Sequence, residues 1–251
     1  MMNTESKNIL QERTNDRSSF RQIEHLVIPP PFFKSNDVIL FNDKAESVLP
    51  LLPSKSVDLV LTDPPYGVRK EEEWDNRENF ESKIDEWLNE CLRVGKTVIW
   101  FCADKMLPII LKDREKEFHR LLIWNKPAGS QYAGASHTNI WYSMEPILVF
   151  GEIPEQSKDK RFGYAVFNYR TVPSAQFDHP TTKPIGLITD LAYFYSNEGE
   201  TILDPFAGSG TSIEAAKRLK RKVVAIEKDI KHCRTIVNRI NDFEPLFQAA
   251  V

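Results

Sequence analysis

Seven short runs rich in β-branched and aliphatic residues alternate with helical patterns along this chain, and that alternation constrains its fold more than any other feature. The runs span residues 38–41, 57–62, 97–101, 121–124, 146–150, 200–203 and 222–226. Helical periodicity covers 45–52, 79–94, 106–115, 185–195, 212–219 and 230–241. The pattern predicts an α/β domain built on a seven-stranded, mainly parallel sheet. Residues 127–143 read instead as a long loop of small and aromatic residues, which suggests an antiparallel excursion at a sheet edge. Residues 1–35, ending in Pro29-Pro30-Pro31, read as a flexible or surface-draped arm, and 36–251 as the domain proper.

At 251 residues the chain can bury one ample core, with room for a modest insertion. No apolar stretch approaches the roughly 18 residues of a membrane helix. The first 35 residues lack the apolar centre of a signal peptide. Cys91, Cys102 and Cys233 are far apart and form no CxxC pair, which argues against a zinc knuckle or a disulfide framework and for a reducing, cytoplasmic setting. The net charge of -3 is unevenly spread: between Val68 and Glu90 nine acids face four bases, so the remainder is slightly basic. Bulk charge therefore neither supports nor excludes a polyanionic partner.

Two local features carry chemistry. In the first, the apolar run 57–62 leads straight into Asp63-Pro64-Pro65-Tyr66-Gly67. Ligands bind beyond the carboxyl ends of strands in open α/β sheets. The prolines fix the backbone there, so Asp63, the Pro64 carbonyl and the Tyr66 ring project rigidly. Hydrogen-bond acceptors beside a flat aromatic suit a planar ring bearing an exocyclic amine, although a Pro-rich turn with an exposed acid accounts for the pentapeptide taken alone.

The second feature is Asp204-Pro205-Phe206-Ala207-Gly208-Ser209-Gly210-Thr211, set between a strand and a helix. A strand, a glycine turn and a helix make a nucleotide-type site, yet neither GxGxxG nor GK[ST] is present. Glu227 closes the next strand, where an acid is placed to accept bonds from both hydroxyls of a ribose.

Together these residues resemble the β-class amino-methyltransferases of DNA. Asp63–Tyr66 matches that family's (D/N/S)PP(Y/F) catalytic motif, and Asp204–Gly210 matches its FxGxG cofactor motif. The segment His179-Pro180-Thr181-Thr182-Lys183-Pro184 looks like the one that covers the methionine end of the cofactor in that family. The catalytic motif precedes the cofactor motif, which is the circularly permuted β-class order. The resemblance implies a Rossmann-like methyltransferase fold, with 200–203, 222–226 and 38–41 as the first three strands of its sheet. It implies S-adenosylmethionine as cofactor, held by Asp204, Pro205, Phe206, Gly208, Ser209, Gly210, Thr211, Glu227, Thr182 and Lys183, with Asp43 near the adenine. Asn42-Asp43 stands where the family usually has Gly-Asp. Asp63, Pro64, Pro65 and Tyr66 are implied as catalytic, with no metal.

The implied partner is double-stranded DNA, with a homodimer and a cognate restriction nuclease as further partners found in the family. Target recognition is implied for about 127–178. Within it, residues 151–178 interleave Lys158, Lys160 and Arg161 with Phe162, Tyr164, Phe167 and Tyr169. Bases and aromatics together suit phosphate contacts and stacking, while a solvated hairpin with a few core aromatics fits the same residues. Asp at the head of the catalytic motif leans toward N6-adenine. N4-cytosine methylation is the alternative, then a non-catalytic DNA-binding subunit of the same fold; RNA modification is disfavoured by motif order.

Overall fold

The computed structural model of the protein describes residues 19–25, 29–65, 77–127, 143–154, 163–172 and 182–248. In chain order the elements are α1 (Ser19–Glu24), β1 (Phe33–Lys34), β2 (Val38–Phe41), α2 (Ala45–Val48), β3 (Val57–Thr62), α3 (Arg77–Val94) and β4 (Gly95–Phe101). They continue with α4 (Leu107–Ile110), β5 (Phe118–Asn125), β6 (Met144–Gly151), β7 (Val166–Asn168) and α5 (Ile185–Tyr195). The last are β8 (Thr201–Asp204), α6 (Thr211–Arg218), β9 (Lys222–Ile226) and α7 (Ile230–Gln248).

One nine-stranded sheet runs β1-β2-β9-β8-β3-β4-β6-β5-β7. The five strands from β2 to β4 are parallel, and β6 runs against both β4 and β5. That reversal is the antiparallel excursion expected around residues 127–143. Central strands such as β2 and β8 are buried at every residue, because helices cover both faces and leave no side for polar alternation. On one face Ile39, Phe41, Val60, Val98, Trp100 and Leu203 pack under α1 to α4. On the other, Val38, Leu40, Leu61, Ile99, Phe101 and Ile202 pack under α5, α6 and α7. α3 shows how sequence sets this layering. Its buried Ile84, Trp87, Leu88, Cys91 and Val94 recur at helical spacing and form one apolar stripe.

Several boundaries differ from the sequence expectation. Nine strands replace seven, because β1 and β7 have only two and three residues, too few for any period to register. The helix expected at 106–115 shrinks to a 3-10 turn and the four-residue α4, and Asp113 at φ 56 turns the chain away. At 45–52, Pro50 lacks the amide that would continue α2, and a 3-10 turn follows. The described residues of segment 1–35 include parts built into the domain: Phe20 and Ile23 of α1 are 1% exposed in the core, and β1 joins the sheet.

The sheet order reverses at β8 and β3. From β8 the chain crosses through α6 to β9 on one side, and from β3 through α3 to β4 on the other. Neighbouring strands whose connections leave on opposite sides mark the point where open α/β sheets bind ligands, in a crevice beyond their carboxyl ends. β3 belongs to the early part of the chain and β8 to the late part. Permuted order thus converges on one place.

Candidate active site

Asp204 ends β8 and is buried. Its Oδ2 accepts from Ser212 Oγ at 2.6 Å, and its Oδ1 accepts from the Phe206 amide at 3.1 Å and Thr62 Oγ1 at 3.3 Å. Burial pushes the carboxyl up to about 7; these three bonds oppose the shift and the nearby Asp63 charge adds to it. The carboxylate thereby ties the start of the glycine loop to α6 and to the end of β3. Pro205 is buried behind it, and the Phe206 ring meets Trp87 of α3 edge-on at 5.0 Å.

Beyond Phe206 the loop turns through Gly208 at φ 51 and Gly210 at φ 81, left-handed conformations that favour glycine. Ser209 Oγ lies 3.3 Å from Thr211 Oγ1 and accepts from Thr182 Oγ1 at 3.3 Å. Glu227, just past β9, accepts from the Gly208 amide at 2.8 Å through Oε2 and from the Asp229 amide at 2.7 Å through Oε1. A carboxylate offers about four acceptor positions, so these bonds leave capacity for a ligand's hydroxyls. Asn42 Nδ2 donates to the carbonyls of Glu227 and Lys228, each at 3.0 Å, and joins the tips of β2 and β9. Asp43 follows at the same rim, half-buried, with Oδ1 accepting from the Lys44 amide at 2.7 Å.

Asp63 and Pro64 stand directly after β3, beside the end of β8. Asp63 Oδ2 accepts from Lys183 Nζ at 2.6 Å. The same ammonium lies 3.0 Å from Glu145 Oε1, and Glu145 Oε2 accepts from Lys126 Nζ at 2.8 Å. Burial works against the charge on Lys183, but the carboxylates of Asp63 and Glu145 outweigh it and raise its pKa above the usual lysine range. Lys183 also lies over the rings of Phe101 at 5.1 Å and Trp124 at 5.8 Å. Trp124 is a core aromatic, 2% exposed, with Nε1 donating to the Tyr169 carbonyl at 2.8 Å.

Two consecutive residues therefore bridge the two motifs: Thr182 reaches the glycine loop and Lys183 reaches Asp63. Tyr66, His179, Lys158, Lys160 and Arg161 lie outside the described residues. The interval 127–178 contributes β6 and β7 to the sheet itself. Glu145, Lys126, Thr62 and Ser212 are site residues that the sequence reading did not single out. Glu145 left a signal, since an acid inside the apolar run Met144-Glu145-Pro146-Ile147-Leu148 is buried only with partners. Among the described residues, no group of three His, Cys, Asp or Glu side chains could hold a metal ion, and no helix is long and apolar enough to cross a membrane.

The same region is shared with known proteins. The DNA methylase family matches residues 57–238, a span that contains both motifs. The type II methyltransferase M.HpaI of Haemophilus parainfluenzae is 27% identical over 234 residues, covering 82% of this chain and 74% of that protein. M.HinfI of Haemophilus influenzae is 24% identical over 265 residues, covering 83% and 69%. Among solved structures, the cytosine-N4-specific PvuII DNA methyltransferase superposes with a TM-score of 0.67 at 15% identity, over 85% of this chain and 89% of that one. The M1.HpyAVI–SAM complex gives 0.63 at 21% identity, over 81% and 99%. With the catalytic motif preceding the cofactor motif, as in β-class enzymes, and a family match that spans both, this chain belongs to the DNA methylase family that modifies exocyclic amines, N6 of adenine or N4 of cytosine.

Proposed function

We propose that the protein transfers a methyl group from S-adenosylmethionine to the N6 amine of adenine in double-stranded DNA. The observation that carries the reading is the bridge made by Thr182 and Lys183, which joins the glycine loop to the Asp63 carboxylate. The crevice fits the cofactor. The backbone turn at Gly208 suits close approach of a ligand, whereas Gly210, expected to share that role, packs against Ile236 of α7. Glu227 has acceptor capacity for ribose hydroxyls, and Asp43 with Asn42 forms the adenine end of the rim. When bound, S-adenosylmethionine supplies an electrophilic sulfonium methyl.

The amine of adenine is a poor nucleophile, because its lone pair is delocalised into the ring. Asp63 and the Pro64 carbonyl accept hydrogen bonds from it, favour a pyramidal nitrogen and face the positive charge that would develop on it as it takes the methyl from sulfur, whose bond to that carbon breaks. The surplus proton is then lost from the nitrogen to solvent. Tyr66 stacks on the base. That base is reached by flipping it from the duplex, at a cost of about a few kcal/mol that phosphate and groove contacts offset. Cys102 takes no nucleophilic part: it is buried beside Asp63 and Glu145, and burial first, then their charges, push its thiol up.

Asp rather than Ser at position 63, followed by Tyr66-Gly67, favours adenine. The likeness to the cytosine-N4-specific PvuII enzyme supports N4-cytosine as the second reading. A non-catalytic subunit is the weakest reading, since Asp63, Tyr66, Gly208 and Gly210 are all present. Incubating duplex DNA with protein and S-adenosylmethionine, then measuring nucleosides by mass spectrometry, separates these readings. N6-methyladenine is expected; N4-methylcytosine would replace it under the second reading, and neither product would sink both. Asp63→Ala should lower kcat at least about 100-fold while cofactor affinity changes little.

A further inference from the structure

Two acids and two lysines alternate in a row across four separate segments of the chain. Lys126 follows β5, Glu145 lies at the start of β6, Lys183 precedes α5, and Asp63 follows β3. Successive contacts are 2.8, 3.0 and 2.6 Å. Side-chain exposure is 7% for Lys126, 10% for Glu145, 8% for Lys183 and 26% for Asp63, so the row opens to the crevice at its Asp63 end. Burying each such ion costs about several kcal/mol before pairing, and the apolar neighbours on β5 and β6 would pack without charges. Something other than packing holds them there.

The geometry points to Glu145 and Lys126 as positioning residues for the reaction at Asp63. An ammonium has three donors. Glu145 takes a second donor of Lys183 through Oε1, and Lys126 fixes the other Glu145 oxygen. Lys183 is thus shared between two carboxylates, and Asp63 keeps both its orientation and its capacity to accept hydrogens from the target amine. Without the Glu145 charge the donors that Lys183 gives to Glu145 are freed to turn to Asp63, already 2.6 Å away, and compete with that amine for its oxygens. This role rests on the methyl transfer proposed above.

The test uses the full chain with Glu145→Gln, Glu145→Asp and Lys126→Met. In Glu145→Gln, kcat at saturating DNA and S-adenosylmethionine should fall at least about tenfold, with cofactor Kd within about twofold of wild type. Glu145→Asp, which restores the charge, should recover part of that loss. Lys126→Met acts one step further away and should lower kcat about two- to fivefold. Wild-type kcat in folded Glu145→Gln, or a loss that only follows the folded fraction, overturns the proposal. If Glu145→Gln does not fold, an unchanged kcat in Lys126→Met overturns it. Thermal unfolding of Glu145→Gln, Lys183→Met and the double variant reads the coupling without any methyl transfer, and non-additive Tm shifts are expected. Additive shifts would remove the row itself. Non-additive shifts in a protein that methylates no DNA would instead defeat the assigned reaction, and this role with it, while the row stood.

Discussion

Asp204 ties folding to pH through a single carboxyl. Burial raises it from the ordinary 3.8 to about 7 in the folded protein. Between those values the folded state holds a proton that the unfolded chain releases. The stability this adds is complete below about pH 4 and is lost as pH rises through 7. Asp204→Asn, neutral throughout, should lack that slope. Tm measured from pH 4 to 8 in both proteins checks it, and parallel curves would refute it. Gly208 answers to the ligand instead. Gly208→Val sets a β-branched side chain at φ 51, on the loop whose own amide holds Glu227. Cofactor binding should vanish from calorimetry, with a stability loss of roughly 1–3 kcal/mol. Unchanged affinity would mean that this loop does not hold the cofactor.

At the scale of elements, α7 supports the glycine loop from behind. Arg239 donates to the Ser209 carbonyl and pairs with Glu214 of α6. Gly210 caps α6 at φ 81, and a Cβ there would stand 2.8 Å from Cγ1 of Ile236 on α7. Gly210→Ala should therefore destabilise the fold by about 1–3 kcal/mol through strain and overpacking. A lowered urea midpoint with an unchanged m-value is the expected result. An unshifted midpoint would mean that Ile236 gives way freely. Two glycines two residues apart thus have separable roles, Gly208 toward the crevice and Gly210 toward helix packing.

Across the whole molecule, charge separates by region. The acidic run between Val68 and Glu90 would repel phosphate, whereas residues 151–178 carry Lys158, Lys160 and Arg161. Those three bases lie outside the described residues, but the flanking Tyr164 is 86% exposed beside the edge strand β7. We propose this segment as the surface that meets DNA. Neutralising all three bases should lower the slope of log affinity against log salt by about 2 to 3, since each phosphate contact releases about 0.9 counterion. Cofactor affinity should stay the same. Filter binding from low to moderate salt is the measurement, and an unaltered slope would place the surface elsewhere.

The apolar runs of β2, β3, β8 and β9 were legible because strands buried on both faces write their burial directly into consecutive residues. The two chemical motifs were legible for a similar reason, since each is a contiguous stretch whose glycines or prolines fix local backbone. β1 and β7 were not, because two or three residues hold no period and their partners lie elsewhere in the chain. The charge row was out of reach for the same physical reason: Lys126, Glu145, Lys183 and Asp63 share no local pattern, and the first three are buried beside partners that arrive from distant parts of the chain. Sequence alone determined the fold class and the two motifs, set by short-range backbone and burial preferences, and the motifs with their order carried the resemblance to the family. Tertiary structure decided that Lys183 lies on Asp63 and Asp204 on Ser212 and Thr62, because pairing buried charges and hydroxyls depends on which strand ends the sheet brings side by side.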